Sequence, residues 1–481
     1  MQNTPGKLNE GRIKQLICNQ WSLSRKTFAS FAVNRECFRN SLSFNTQMRK
    51  NIITISCCLC FFSNSFAQEN QGISNFLENP AEQVALTGLS NQEASINAAQ
   101  NEVFMKLQHL KVTGFLQTQY QWGEADASLS VGAPNEKPDD SYSRIGIRRG
   151  HLIIAYEEGI ASGVFRLDLT DKGIGIKDVY MNIKDPRKKT IALKAGIFNR
   201  PFGNEISYSS SSLESLERSS ITQTLFPQER DMGVAIVYQP VNTSMFHFLK
   251  LEAGLFAGNG IKQETDSRKD FIGHLSANKK LKDIEFGGGV SYYYGSVFQG
   301  SENVFRMKDD AFILDNSMDN KGKFANRKYI GFDGQFSVKT GIGTTQLRAE
   351  YLFGEQPGSE SGSKSPNESS LPVHDTYLRN FSGGYVIFVQ GLGRLPLYAV
   401  LKYDWYDPNT KVSGNQIGRN NTTKSDILRN TFGFGMFWNL NTNLRLQAYY
   451  EINSNEKSES LAGYNDDIKD NIFTLRMQYK F

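Results

Sequence analysis

The chain has 481 residues, with 54 Lys and Arg against 49 Asp and Glu, 12% aromatic residues, 42 Gly and 5 Cys, and a formal charge of +5. No apolar run reaches the roughly 18 residues of a helical membrane span. The small positive balance comes from the front of the chain, so it is no argument for nucleic acid.

Met48-Arg49-Lys50 opens a basic segment, Ile52 to Phe62 is an apolar run, and Ser65-Phe66-Ala67 before Gln68 has the small-x-small form of a cleavage site. These features predict a secretory signal peptide over 48–67, too short to cross a bilayer as a helix. Met48 then reads as the start, and 1–47 as an upstream extension that is not native to the protein. All five cysteines (Cys18, Cys37, Cys57, Cys58, Cys60) fall within 1–67. The exported chain would therefore have no disulfide framework, thiolate metal site or Cys nucleophile. Removing the nine basic and two acidic residues of 1–67 leaves 45 against 47, so the charge becomes −2.

Over 68–110, Leu86, Leu89, Glu93, Ile96, Gln100, Val103, Leu107 and Leu110 recur at spacings of three and four, a heptad seam with two polar interruptions. The segment reads as a periplasmic linker: a short coiled coil, a single amphipathic or frayed helix, or a disordered Gln/Asn-rich stretch. Pro80 and Gly88 favour the plainer forms.

Sixteen strands are predicted beyond it. They run over 112–122, 143–157, 161–170, 174–184, 189–198, 233–240, 247–256, 269–280, 284–296, 327–339, 343–354, 376–391, 395–406, 428–440, 442–452 and 470–481. Tight turns at Glu158–Ile160, Asp185–Lys188, Pro240–Phe246, Lys280–Asp283, Thr340–Ile342, Leu392–Arg394 and near Asn441 alternate with polar loops. The long loops are 123–142, 199–232, 257–268, 297–326, 355–375, 407–427 and 453–469, with one short connection at 171–173. An even strand number with turns at one end and loops at the other is the pattern of a bacterial outer-membrane barrel.

Side-chain alternation supports this. In the last strand, Phe473, Leu475, Met477, Tyr479 and Phe481 share one face, while Thr474, Arg476, Gln478 and Lys480 share the other. Leu397, Ala399, Leu401, Tyr403 and Trp405 likewise point to lipid, with Lys402 and Asp404 inward. Phe165, Leu167 and Leu169 oppose Arg166 and Asp168. Leu347, Ala349, Tyr351 and Phe353 oppose Arg348 and Glu350, and Leu444, Leu446, Ala448 and Tyr450 oppose Arg445, Gln447 and Glu451. Tyr120, Trp122, Tyr403, Trp405, Trp438 and Phe481 sit at strand ends, as interfacial girdles require. The second strand changes parity between Ile145/Ile147 and Leu152/Ile154/Tyr156, which predicts a bulge near Arg148–Gly150. A barrel of sixteen antiparallel strands is wide enough for an aqueous channel.

Gly196-Ile-Phe-Asn-Arg-Pro-Phe-Gly-Asn-Glu205, Leu216-Glu-Arg-Ser219 and Phe226-Pro-Gln-Glu-Arg-Asp-Met-Gly233 resemble the phosphate-selective porin O and P family, with echoes at Arg148-Arg149, Lys177–Tyr180 and Gly254–Gly260. The resemblance covers Lys111 to Phe481 and is most specific from Arg144 to Gly260. It implies a homotrimeric sixteen-stranded channel whose third loop folds inward as a constriction. By matched position it also implies Arg200, Arg218 and Arg230 as anion-binding candidates in that loop, with Arg148, Arg149, Arg166 and Lys194 on the nearby wall. Guanidinium groups bind phosphate through forked donors.

Residues 199–232 nevertheless hold three basic and five acidic residues and no lysine. The inward wall cations Arg166, Lys194, Lys250, Arg348, Lys402, Arg445, Arg476 and Lys480 face Asp168, Asp178, Glu252, Asp333, Glu350, Asp404 and Glu451. That near-balanced field points to a pore for small hydrophilic solutes, phosphate or other anions among them, rather than to strict phosphate selection. Glu205, Glu214, Glu217, Glu229 and Asp231 also offer partners that would brace the loop.

No cofactor or metal is implied. His109, His151, His247, His274 and His374 are scattered, and Asp309, Asp310, Asp315 and Asp319 lack the spacing of a calcium loop. Two alternatives have other bases: a binding or adhesion barrel acting through 297–326 and 355–375, and a rim-site hydrolase, which the strand number disfavours.

Overall fold

The computed structural model describes residues 103–241 and 243–481. The expected extension 1–47, the signal peptide 48–67 and most of the linker lie outside the described residues. Of the linker, 103–108 is helical, with Val103 and Leu107 exposed.

The wall begins with β1 (Leu110–Gly123), β2 (Tyr142–Glu158), β3 (Ala161–Thr170), β4 (Gly173–Lys184), β5 (Ile191–Asn199), β6 (Arg230–Tyr238), β7 (Leu249–Phe256), β8 (Asp270–Leu281) and β9 (Ile284–Phe298). A hairpin of β10 (Asn303–Lys308) and β11 (Ala311–Asn316) follows. The wall resumes with β12 (Phe324–Thr340), β13 (Gly343–Gly358), β14 (Thr376–Gly391), β15 (Leu397–Asp407), β16 (Arg429–Asn439), β17 (Leu444–Asn455) and β18 (Ile472–Lys480). Each wall strand pairs antiparallel with the next, β9 pairs with β12 across the hairpin, and β1 pairs with β18. The result is a closed barrel of sixteen strands with no free edge. The hairpin, expected only as polar loop, lies on the loop side. It pairs parallel with β14 from Val304 to Arg306 and stacks Phe305 on Tyr377 at 4.3 Å.

The lipid-facing stripe follows the alternation. Tyr292 and Tyr294 are exposed on the outside of β9, while Tyr293 between them is fully buried inside. In β18, Leu475, Met477 and Tyr479 are exposed, and Thr474, Arg476 and Gln478 are buried. The barrel closes on the last residue. Gly114 and Phe481 exchange backbone N–H···O bonds of 2.9 and 3.0 Å. A Cβ on Gly114 would lie 2.5 Å from the Phe481 ring and 2.5 Å from the His151 carbonyl, so this position admits only glycine.

Two bulges interrupt the ladders. Between β1 and β2 the register passes from Gln117↔Arg149 to Thr118↔Ile147, leaving Arg148 as the extra residue. Between β3 and β4 it passes from Arg166↔Asp178 to Leu167↔Ile176, leaving Lys177 extra. A bulge lets two consecutive side chains point the same way. Arg148 and Arg149 both face inward here, as do Lys177 and Asp178, whose ion pairs all lie inside the barrel. The first bulge is where the parity change in β2 placed it.

The lumen is filled unevenly. The inward residues of β14 to β18 and β1 (Tyr385, Val400, Tyr449, Arg476 and Gln117 among them) are buried beneath 200–229, the third loop. Inward Arg166, Lys194 and Lys250, on β3, β5 and β7, keep side-chain exposures of 22%, 19% and 42%. The loop thus covers the inward faces of β14 to β18 and β1, and the inward charges of β3, β5 and β7 keep part of their contact with water.

A charge on the outer stripe should act through lipid. Leu401→Arg, at an exposed position in the middle of β15, is expected to cost about 2–4 kcal/mol of folding stability, and Ile342→Arg in a turn at the rim about 0–1 kcal/mol. Urea titration of folding into lipid vesicles reads both.

Candidate functional site

The third loop leaves β5 at Asn199 and returns to β6 at Arg230. Its turn inward needs Gly203, whose φ is +60° and whose missing Cβ leaves room for the Glu350 carboxylate. Gly203 N–H donates to Ser291 Oγ at 2.8 Å, and the N–H groups of Asn204 and Glu205 donate to Glu350. Phe202, Ile206, Ile221, Leu225 and Phe226 of the loop pack on Phe256, Tyr293, Tyr329 and Phe381 of the wall in one buried cluster. Full burial of such side chains contributes about 1.5–3 kcal/mol each. A six-residue helix, Ser220–Leu225, sits on this cushion, and Ser220 N–H and Oγ donate to Asp404 at 3.0 and 2.6 Å.

Carboxylates of the loop carry its electrostatic attachment. Glu217 is shared by Arg148 at 2.9 Å, Arg149 at 2.5 Å and Arg476 at 2.8 Å, which joins the loop to β2 and β18. Glu229 accepts from Lys177 at 3.2 Å, Arg218 at 2.7 Å and Arg230 at 2.6 Å. Glu214 pairs with Arg348, and Glu205 lies 3.4 Å from Lys402. Burial alone would raise the Glu217 and Glu229 carboxyls. The surrounding cations override it and hold both well below the usual carboxylate range. Burial also opposes ionisation of Glu205, and Lys402 with the Ser219 hydroxyl lowers it nonetheless.

The residues singled out from the sequence separate into two groups. Arg148, Arg149 and Arg218 line a cavity of about 390 Å³ between the loop and the two bulges. Arg200 is fully buried on Asp231 at 3.1 Å, and Arg230 is buried on Asp178 at 2.8 Å, both inside the packing rather than at the cavity. Arg166 meets Asp178 at 3.0 Å on the open side. Lys194 meets Glu252 at 3.7 Å there and lies over the Tyr180 and Phe198 rings.

Lys177 and Lys364 also line the cavity, together with the carboxylates Asp168, Glu217 and Glu229. Lys177 was legible in principle. The lipid-facing parity of β4 changes from Ile174 and Ile176 to Met181 and Ile183 across it, as in β2. Lys364 belongs to the loop 359–375, which carries no periodic signal. The cavity thus holds five cations against three carboxylates, and most of those charges are already paired.

A model of the phosphate-selective porin O and P family matches residues 161–481. The chain belongs to this family. It is an outer-membrane porin, as the closed barrel with its lipid-facing stripe requires. A comparison with curated proteins gives no significant match. Among solved structures, the chain is similar to Pseudomonas putida OprB at high pH, with 10% identity, 80% of this chain and 97% of that one covered, and a TM-score of 0.49. It is also similar to the Acinetobacter baumannii outer-membrane channel DcaP, with 12% identity, coverages of 77% and 97%, and a TM-score of 0.46. The in-vitro folded Vibrio cholerae outer-membrane protein OmpT, in a trimer form, gives 13% identity, coverages of 77% and 99%, and a TM-score of 0.46.

Removing a shared carboxylate should strand several buried cations at once. Glu217→Gln is expected to destabilise the barrel by about 3–5 kcal/mol, read as a lower urea midpoint. The pH dependence has a definite sign. Both carboxyls have lowered native values, so their stabilisation is complete above the unfolded value of about 4.3 and is lost as pH falls through the native ones. Pepsin should leave 200–229 intact at about pH 4.5 and cut it only in stronger acid.

Proposed function

We propose that this porin carries small hydrophilic solutes by passive diffusion, as a homotrimer, with a modest preference for anions among which phosphate is included. It acts as a channel and not as an enzyme. The observation that carries this reading is the cavity between the third loop and the bulges, whose lining has two more cations than carboxylates. A charged throat walled by protein of low dielectric concentrates ions of the opposite sign, and hydrated inward side chains replace part of their water.

Solute contact falls to Arg148, Arg149 and Arg218, which reach the cavity. Arg200 and Arg230 hold the loop in place through buried pairs with Asp231 and Asp178. Arg166 and Lys194 flank the wet wall below. Because Glu217 and Glu229 already pair with all three guanidinium groups, phosphate would meet a partly neutralised surface, so the preference is weak rather than strict.

Single-channel recording in a planar bilayer under a KCl gradient tests this. The expected result is a steady conductance with a reversal potential on the anion side, and a partial reduction of chloride current by added phosphate. Arg148→Ala should move the reversal potential towards zero selectivity, because its side chain is 26% exposed at the cavity. Arg200→Lys should leave selectivity in place and show its effect in stability. A folded barrel that passes no current would overturn the reading.

A further inference from the structure

A second loop enters the barrel from the loop side. Residues 359–375, between β13 and β14, return over the third loop. They are anchored through two buried serines that flank one lysine. Tyr406 Oη donates to Ser363 Oγ at 3.0 Å, and Ser365 Oγ lies 2.9 Å from Tyr329 Oη. Ser365 N–H donates to the carbonyl of Thr224, in the helix of the third loop, at 3.0 Å. Further along, Glu368 N–H donates to Asn259 Oδ1 at 3.0 Å, and Asn259 Nδ2 donates back to the Glu368 carbonyl at 2.5 Å. The backbone on both sides of Lys364 is thus fixed to the wall and to the third loop.

Lys364 itself is exposed. It lines the throat cavity of about 390 Å³ and also an outer cavity of about 480 Å³, bounded by Phe298, Pro357 and Pro372 among others. Asn367 is the other residue common to both linings, so the pair marks the passage from one cavity to the next.

Arg148 and Arg149 share Glu217, and Lys177 and Arg218 share Glu229. The Lys364 ammonium has no ion pair and no hydrogen bond among the described residues. Cations grouped on one carboxylate present a reduced, though still positive, net charge. An unpaired cation presents its full charge, felt over the Debye length, about 8–10 Å at ordinary salt.

We infer that the loop 359–375 is a second inward element of the channel, and that Lys364 on it sets the charge preference of solutes passing from the outer cavity into the throat. This rests on the pore reading above.

The experiment uses the full chain in planar bilayers, with Lys364→Gln, Lys364→Glu and Lys364→Arg compared in a KCl gradient at low and high salt. The expected result is a fall in the anion-to-cation permeability ratio of roughly threefold or more on charge reversal at low salt. Lys364→Gln should fall between, Lys364→Arg should match the parent, and the differences should shrink at high salt. Lys321→Glu, at an exposed lysine outside both cavities, controls for surface charge in general and should leave the ratio unchanged. Equal ratios in the parent and Lys364→Glu, with conductance intact, would overturn the assignment while leaving the pore. An equal shift in Lys321→Glu would overturn it too. A folded parent barrel without conductance would remove the pore reading and this assignment with it.

Discussion

The sharing of buried carboxylates between several cations is what the interior of this barrel depends on. A carboxylate taken out of water is costly, and one partner seldom offsets that cost. Glu217 has three partners, two on β2 and one on β18, and Glu229 has three, from β4, the loop itself and β6. Such a node is satisfied in one arrangement only, because displacing it leaves several charges unpaired together. The apolar cluster beneath the Ser220–Leu225 helix supplies burial, and the nodes decide where that burial occurs. An acidic loop inside a barrel of a phosphate-selective family is therefore no contradiction. Its negative charge is largely consumed in holding the loop.

The two bulges make this possible. A regular strand offers an inward side chain only at every second residue, whereas a bulge turns two consecutive ones inward. The extra residue at Arg148 puts two guanidinium groups on Glu217 from a single strand. The one at Lys177 sets an ammonium beside Asp178, so that Glu229 and Arg230 are both engaged from β4. With the loop packed across the lumen, water and solute pass beside it, next to the inward charges of β3, β5 and β7. The walls of that passage are then half strand and half loop.

The strands were legible because lipid fixes one face of each. The alternation in Phe473–Phe481, and its failure in β2, are imposed by a solvent that rejects charge, so they appear in the residues themselves. The inward partners were not legible for the opposite reason. Glu217 is 69 residues from Arg148 and 259 from Arg476, and nothing local to any of them records the pairing. Family resemblance pointed to Arg200 and Arg230, which are close in the chain to the cavity yet aimed into the packing. The hairpin β10–β11 and the loop 359–375 answer to long-range contacts with wall strands and other loops rather than to lipid or to a period. Their polar composition reads as solvated surface, although Ser363 and Ser365 are buried.

The seam between β1 and β18 bears on biogenesis. Its outermost pair of bonds joins Phe481 to Gly114, beyond the nine paired positions from Phe115↔Lys480 to Gly123↔Ile472. Until β1 and β18 pair, both are open edges, with unpaired N–H and C=O groups beside aromatic side chains. Such edges invite pairing with other chains. Pairing of these two strands removes both edges at once, so the sheet stays open to other chains until its two ends meet.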